Sequence, residues 1–208
     1  MPLDPKFTKF TTVSPIIISY SFTEIADGTG IAHLKGASGK LTTADLFSGP
    51  ELSAESSSTS STQIIDHNFD LSPFNLPRTM KGTATVNFCY AFSGTGTGKN
   101  ITLKFKFRKV ELDSNVVEIA EWTQTFSNTS NRVSVGFRDI TIPKTYFQKG
   151  ETLRITFEGW MTVIDSGTFR ITLGIDPQDR DGTYIVPSTD TPKSTTKLDF
   201  YIPFEIQE

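Results

Sequence analysis

Apolar and polar residues alternate over long stretches of this chain. The clearest run spans residues 80–92, where every second position is apolar or glycine. The same period of two recurs at 101–108, 132–137, 153–158, 169–175 and 198–206. A side-chain period of two is typical of a half-buried β-strand. The pattern therefore predicts six strands, each with one face toward a core, and places Phe88 and Phe157 in that core.

Shorter β-branched runs predict further strands at 16–22, 30–35 and 63–71. Residues 113–124 favour a strand over a helix, and Pro143 to Gly150 predicts a single turn that ends at the glycine. Roughly ten strands with one wet face each predict two antiparallel sheets packed face to face. The fold class expected is therefore all-β, an antiparallel β-sandwich of the jelly-roll type.

The domain organisation follows from the interruptions of this pattern. Residues 1–14 show no period and predict an extended N-terminal arm, whereas 15–208 form a single sandwich domain. Residues 48–62 are rich in Ser and Thr and predict a flexible loop that buries nothing, so deletion of 52–61 should leave folding intact. Pro203 in the last strand predicts a free sheet edge, because proline cannot donate to a ladder.

Composition narrows the function classes. A net charge of −3 argues against nucleic acid as a partner, and no apolar run is long enough for a membrane span. The first residues lack the basic and apolar regions of a signal peptide, and Cys89 is the only cysteine. We therefore expect synthesis in a reducing cytoplasm and a fold without disulfides.

Candidate catalytic chemistry is sparse. His33 and His67 lie on separate strands, and no Gly-x-Ser-x-Gly motif is present, so we expect no hydrolase triad. Glu118 and Glu121 have odd spacing, which predicts that they face opposite sides of a strand. Glu158 and Trp160 share a face and are the pair that a glycosidase-like enzyme would use.

Two binding sites are also candidates. Asp176, Asp179 and Asp181 lie on one short loop and are the residues that would hold Ca²⁺, although the loop lacks the EF-hand spacing. Trp160 and Tyr201 are the aromatic residues that would stack on a glycan if one concave sheet carried both.

The basic residues Lys104, Lys106 and Arg108 alternate along one strand. Because acidic residues lie nearby, this row predicts a solvated or cross-strand-paired face rather than a nucleic-acid groove. We expect no cofactor apart from the calcium candidate.

Four segments, 73–84, 142–154, 176–180 and 197–204, together carry a resemblance. The region from about 64 to 206 resembles uncharacterised β-rich virion-associated proteins encoded by tailed viruses of bacteria and archaea. This resemblance implies a structural or decorating role on a capsid or tail, and it implies no catalytic residue. Among these roles we expect capsid decoration or cement ahead of a major capsid or tail component.

The sequence therefore predicts a virion structural protein that is not an enzyme. We expect a homo-oligomer, with a trimer as one candidate state, that also contacts other virion proteins. The arm carries Phe7, Phe10 and Val13, which a solvated tail has no reason to hold, so we expect it to reach a neighbouring subunit. The alternatives are a carbohydrate-binding or adhesin-type module and, third, a glycosidase-like enzyme.

Overall fold

A computed structural model describes residues 18–19, 29–45, 49–95, 99–163, 167–185 and 196–205. These residues form twelve strands and no helix, which confirms the all-β prediction for this part of the chain. The strands are β1 (Ile18–Ser19), β2 (Thr29–Ala37), β3 (Lys40–Thr42), β4 (Glu51–Ser56), β5 (Thr62–Asp70), β6 (Arg78–Gly94), β7 (Lys99–Val110), β8 (Val116–Phe126), β9 (Arg132–Phe147), β10 (Thr152–Val163), β11 (Phe169–Gly174) and β12 (Leu198–Glu205). The predicted arm, with Phe7, Phe10 and Val13, lies outside the described residues.

The strands join into one sheet in the order β4-β11-β6-β12-β2-β3-β5-β10-β7-β8, with β1 beside β2 and β9 beside β6. All pairs are antiparallel except the single bridge between β3 and β5. The sheet folds back on itself, because residues of strands that are not hydrogen-bonded neighbours meet in the core. The ring of Phe105 on β7 lies 4.9 Å from that of Phe88 on β6 and 6.1 Å from that of Phe200 on β12. This confirms the antiparallel sandwich, whereas its jelly-roll connectivity stays a prediction.

Outside Val133, Val135 and Phe137 of β9, the core consists of the inward faces that the alternation predicted. Phe88 and Phe157 have no solvent exposure. His67 also points inward on β5, where its ring meets Phe69 edge-on and its Nε2 atom has no hydrogen-bond partner among the described residues. Burial lowers the pKa of His67. The described residues include no helix long and apolar enough to span a membrane.

Pro203 does not mark a free edge, contrary to the sequence prediction. Strand β12 lies between β2 and β6, and Pro203 is paired with Ile31 on the β2 side. On the β6 side the pairing shifts between Tyr201 and Phe204, so the ladder is interrupted where proline has no N–H to donate. A β-bulge, rather than an edge, accommodates the proline.

The sequence predicts a loop over the whole of 48–62, but the structure has a strand within this segment. Strand β4 lies within it and pairs with β11 over its whole length, from Glu51 opposite Gly174 to Ser56 opposite Phe169. Leu52 and Ala54 pack against the core from this strand. The sequence analysis missed this strand because its period-two pattern is short and contains only these two apolar residues among serines and glutamates.

The single turn predicted from Pro143 to Gly150 is also shorter than expected. Strand β9 continues through Pro143 as far as Phe147, which is buried. The turn is confined to the last residues of the segment, where Gly150 has a φ of 93° that favours glycine.

Candidate interaction surface

Strand β9 exposes three apolar side chains in a row. Val133, Val135 and Phe137 are 43%, 49% and 60% exposed, and we call them the apolar strip. The sequence predicted that this apolar face is buried, and that prediction is wrong. The next apolar residues of the strand, Ile140 and Ile142, lie on the opposite face and are buried. One continuous register cannot bury both sets, because a strand turns alternate residues to opposite sides.

Gly136 explains why the inward face of this part of β9 carries no apolar side chain. A Cβ atom built at Gly136 would lie 2.4 Å from the tip of the Phe88 ring. The ring of Phe88 therefore occupies the space that a side chain at this position would need. The inward face accepts the large core residue of β6, and the Val and Phe side chains of β9 face outward as a result.

Two arginines of β9 point inward toward β8, a strand with which β9 is not paired in the sheet. The guanidinium group of Arg132 lies 4.4 Å from the centre of the Phe126 ring. Arg138 lies 5.4 Å from the Trp122 ring and donates a hydrogen bond of 2.8 Å to Gln124. Each guanidinium group covers an aromatic ring on one side and stays partly exposed to water. Arg132 and Arg138 can therefore point inward at the rim of the sandwich without losing hydration completely.

The outer face beside the strip is partly covered. Across the ladder on β6, Ala91 pairs with Val133 and Cys89 pairs with Val135. Ile185 packs on Cys89 and Ala91 to form a small buried cluster outside the main core. The strip therefore lies next to a buried apolar cluster, while its own side chains stay 43% to 60% exposed.

Glu51 holds this cover in place. Its carboxylate accepts hydrogen bonds from the backbone N–H groups of Thr183, Tyr184 and Ile185. Burial raises the pKa of Glu51, although these backbone hydrogen bonds act in the opposite direction. The guanidinium of Arg170 lies 4.0 Å from the Tyr184 ring and adds a second fixed contact.

The opposite outer face of the sandwich is charged and internally paired. Glu158 is buried there by long side chains: Lys106 Nζ lies 2.8 Å from its Oε1 atom, and Trp160 Nε1 donates to Oε2 at 3.0 Å. Burial raises the pKa of Glu158, but the hydrogen bonds from Lys106 and Trp160 outweigh it and leave the pKa below its usual value. An ionised, paired carboxylate cannot act as the general acid of a glycosidase at neutral pH.

The basic row predicted from the sequence belongs to this network. Lys104 and Lys106 lie 3.4 Å and 3.6 Å from carboxylate oxygens of Glu121, and Lys106 also lies 3.9 Å from Glu118. The expected cross-strand pairing is confirmed. Glu118 and Glu121 share one face, contrary to prediction, because the β7–β8 pairing shifts between Phe107 and Arg108.

The predicted ligand-stacking residues do not meet. Trp160 lies on the charged face of β10, opposite Thr102 of β7. Tyr201 lies on the other outer face, where it stacks on His33 with ring centres 4.7 Å apart and nearly parallel planes. No single sheet face carries both rings, so they do not form one platform for a glycan.

His33 also meets an acid. Its Nε2 atom lies 3.0 Å from Oδ1 of Asp199, which is nearly buried. Burial and the nearby carboxylate of Asp199 both raise the pKa of Tyr201. The outer face of β2 and β12 thus presents an imidazole–carboxylate pair beside a tyrosine. The sequence analysis did not predict this group, because His33 is far from Asp199 and Tyr201 along the chain.

The acidic loop uses its carboxylates internally. Asp176 is buried and accepts bonds from the backbone and side chain of Arg180 at 2.9 Å and 2.7 Å. Asp179 accepts the backbone N–H of Thr196 at 2.8 Å, and Asp181 is exposed. Among the described residues, no three acidic, His or Cys side chains converge as metal ligands. A calcium ion at this loop stays a sequence prediction.

Comparisons with known proteins relate this chain to others by fold alone. No family model and no curated protein matches the sequence. A CocE/NonD family hydrolase from Staphylococcus aureus matches 95% of this chain with 12% identity and a TM-score of 0.55. An aminopeptidase from a marine sediment Thaumarchaeota archaeon matches 83% with 6% identity and a TM-score of 0.54. The chain spans only 40% and 36% of their lengths.

These similarities correct one prediction. The sequence analysis expected a protein that is not an enzyme, but the same sandwich fold occurs in these hydrolases and in an α-amino acid ester hydrolase with a TM-score of 0.53. The exclusion of enzymatic activity is therefore wrong. A virus structure, that of infectious bursal disease virus, also matches the whole chain, with a TM-score of 0.25 that is too low to establish a shared fold.

Proposed function

We propose that this protein is a structural component of a virus particle and that it assembles through the apolar strip of Val133, Val135 and Phe137. The observation that supports this role best is the exposure of three successive outward side chains on a strand that pairs along one edge only among the described residues. Exposed apolar groups that lie together mark contact sites, whereas scattered ones need no explanation. Burial of these half-exposed side chains in an interface contributes about 1 kcal/mol each.

The particular role within the particle is capsid decoration or cement, as the resemblance of residues 64–206 implies. The paired charges of the opposite face support a one-sided contact, because that face already satisfies its own ions. Such a protein contacts the other virion proteins with its strip-bearing face and presents the charged face to solvent. Its location is then the virion, after synthesis in the cytoplasm of the host.

A matched pair of variants tests the strip. Phe137→Lys places a charge in the interface, and we expect a folded protein that sediments as a monomer. Thr141→Lys is the control, because Thr141 is exposed on the same face of the same strand but lies outside the strip. Analytical ultracentrifugation with circular dichroism reads out both. Retention of the wild-type assembly by the Phe137→Lys variant contradicts the proposal.

A second candidate function is hydrolysis, which the fold shared with CocE/NonD family hydrolases favours. In this chain the only imidazole–carboxylate pair among the described hydrogen bonds is His33 with Asp199, and such a pair can serve as a general base. An assay with p-nitrophenyl esters of amino acids tests it. Turnover that is lost in a His33→Gln variant supports hydrolysis, and turnover at the buffer rate in the wild-type protein contradicts it.

A further inference from the structure

We infer that the apolar strip binds residues 1–14 of a second copy of this chain. This inference rests on the proposed assembly role and names the partner of that surface. It joins two features of the chain, an exposed apolar row on β9 and an apolar segment at the start of the sequence.

The dimensions of the strip favour an extended peptide over a flat protein surface. Alternate residues of a strand are spaced about 6.6 Å apart, so Val133 to Phe137 spans roughly 13 Å and is one strand wide. Two such strips facing each other would bury far less than the roughly 1,200 Å² of a stable protein interface. An extended segment that lies along one strand is the recognition mode that fits a narrow row.

The first fourteen residues have the matching chemistry. They hold five apolar residues, and one lysine lies on each side of the first phenylalanine. The apolar residues are Met1, Leu3, Phe7, Phe10 and Val13, and the lysines are Lys6 and Lys9. Asp139 is exposed on the strip face two residues beyond Phe137, where it accepts a hydrogen bond of 2.7 Å from Thr85. With Asp4 counted against the two lysines, the side chains of the segment carry a small net positive charge. An apolar segment of this charge is complementary to an apolar row that ends in a carboxylate.

The position of β1 favours a second copy over the same molecule. Ile18 pairs with Ala32 on β2, so the chain enters the sheet at the edge opposite β9, about 19 Å away across four strand spacings. The row between them is polar, since His33, Tyr201, Thr85 and Asp139 follow one another across the ladder. A segment crossing its own molecule would lay phenylalanines over these polar groups, whereas a segment from a neighbour enters at the open edge of β9.

A double-variant experiment in the full chain tests the inference. The variant F7S/F10S removes both phenylalanines of the arm, and T11S/T12S is the control that keeps them. We expect F7S/F10S to dissociate to a folded monomer as Phe137→Lys does, with a dissociation constant at least tenfold higher than that of the wild-type protein. The dissociation constant of the triple variant F7S/F10S/F137K should be no higher than that of F7S/F10S or of Phe137→Lys, because both changes remove the same contact.

The outcomes separate this inference from the proposed function. If F7S/F10S keeps the wild-type assembly while Phe137→Lys dissociates, the strip is an interface but the arm is not its occupant, and the inference is overturned. If F7S/F10S keeps the assembly and lowers only the melting temperature, the arm packs on its own molecule, which also overturns it. If the wild-type protein is a monomer at all concentrations, the assembly role itself fails.

Discussion

Phe88→Ala is expected to lower the free energy of unfolding by about 3–5 kcal/mol. The side chain has no solvent exposure, and its ring meets those of Phe105 and Trp122 at centre distances of 4.9 Å and 5.6 Å. Across the ladder lies Gly136, which has no side chain to fill the space that the ring leaves. The cavity therefore persists in the variant, and the free energy of unfolding falls by the full amount typical of a large-to-small core substitution.

Urea unfolding followed by circular dichroism measures this loss. Thr141→Ala is the control, because Thr141 is exposed, and its substitution should change the free energy of unfolding by less than about 0.5 kcal/mol. A loss below about 1 kcal/mol for Phe88→Ala would mean that Phe88 is not packed between the two layers. The same loss for both variants would point to a general effect on the strand pair.

Deletion of residues 52–61 is expected to lower the melting temperature markedly. It removes nearly all of β4, including Leu52 and Ala54, which pack against the core, and it leaves one edge of β11 unpaired. The expected cost is roughly 3 kcal/mol from lost apolar burial and strand pairing. For a domain of this size that is a decrease of about 6–12 °C.

Differential scanning calorimetry tests the deletion. A Ser61→Gly variant in the exposed loop is the control and should melt near the wild-type temperature. An unchanged melting temperature in the deleted protein would restore the sequence prediction that this segment buries nothing. It would also mean that the strand pairing between β4 and β11 contributes no stability.

The sequence predicted the strands well because alternation is a local property. It predicted the wrong buried face for Val133, Val135 and Phe137, because the period alone does not say which face the core lies on. That choice depends on the Phe88 ring over Gly136 and on the burial of Ile140 and Ile142, and contacts between strands decide it.

The other corrections also come from pairing between strands. Glu118 and Glu121 reach the same lysine only because β7 and β8 shift register between Phe107 and Arg108, which no spacing rule indicates. The pair of His33 and Asp199 is separated by 166 positions in the chain. The alternation along β2 and β12 indicates that each residue faces outward. It does not indicate that the two strands are neighbours in the sheet.

The mass of the full-length protein in solution tests the central claim most directly. Sedimentation equilibrium over a wide range of protein concentrations gives this mass without any variant. The assembly role predicts a defined multiple of the 23.0 kDa chain that persists at micromolar concentration. A mass of 23.0 kDa at every concentration would contradict it, because the apolar strip would then remain exposed in the native protein.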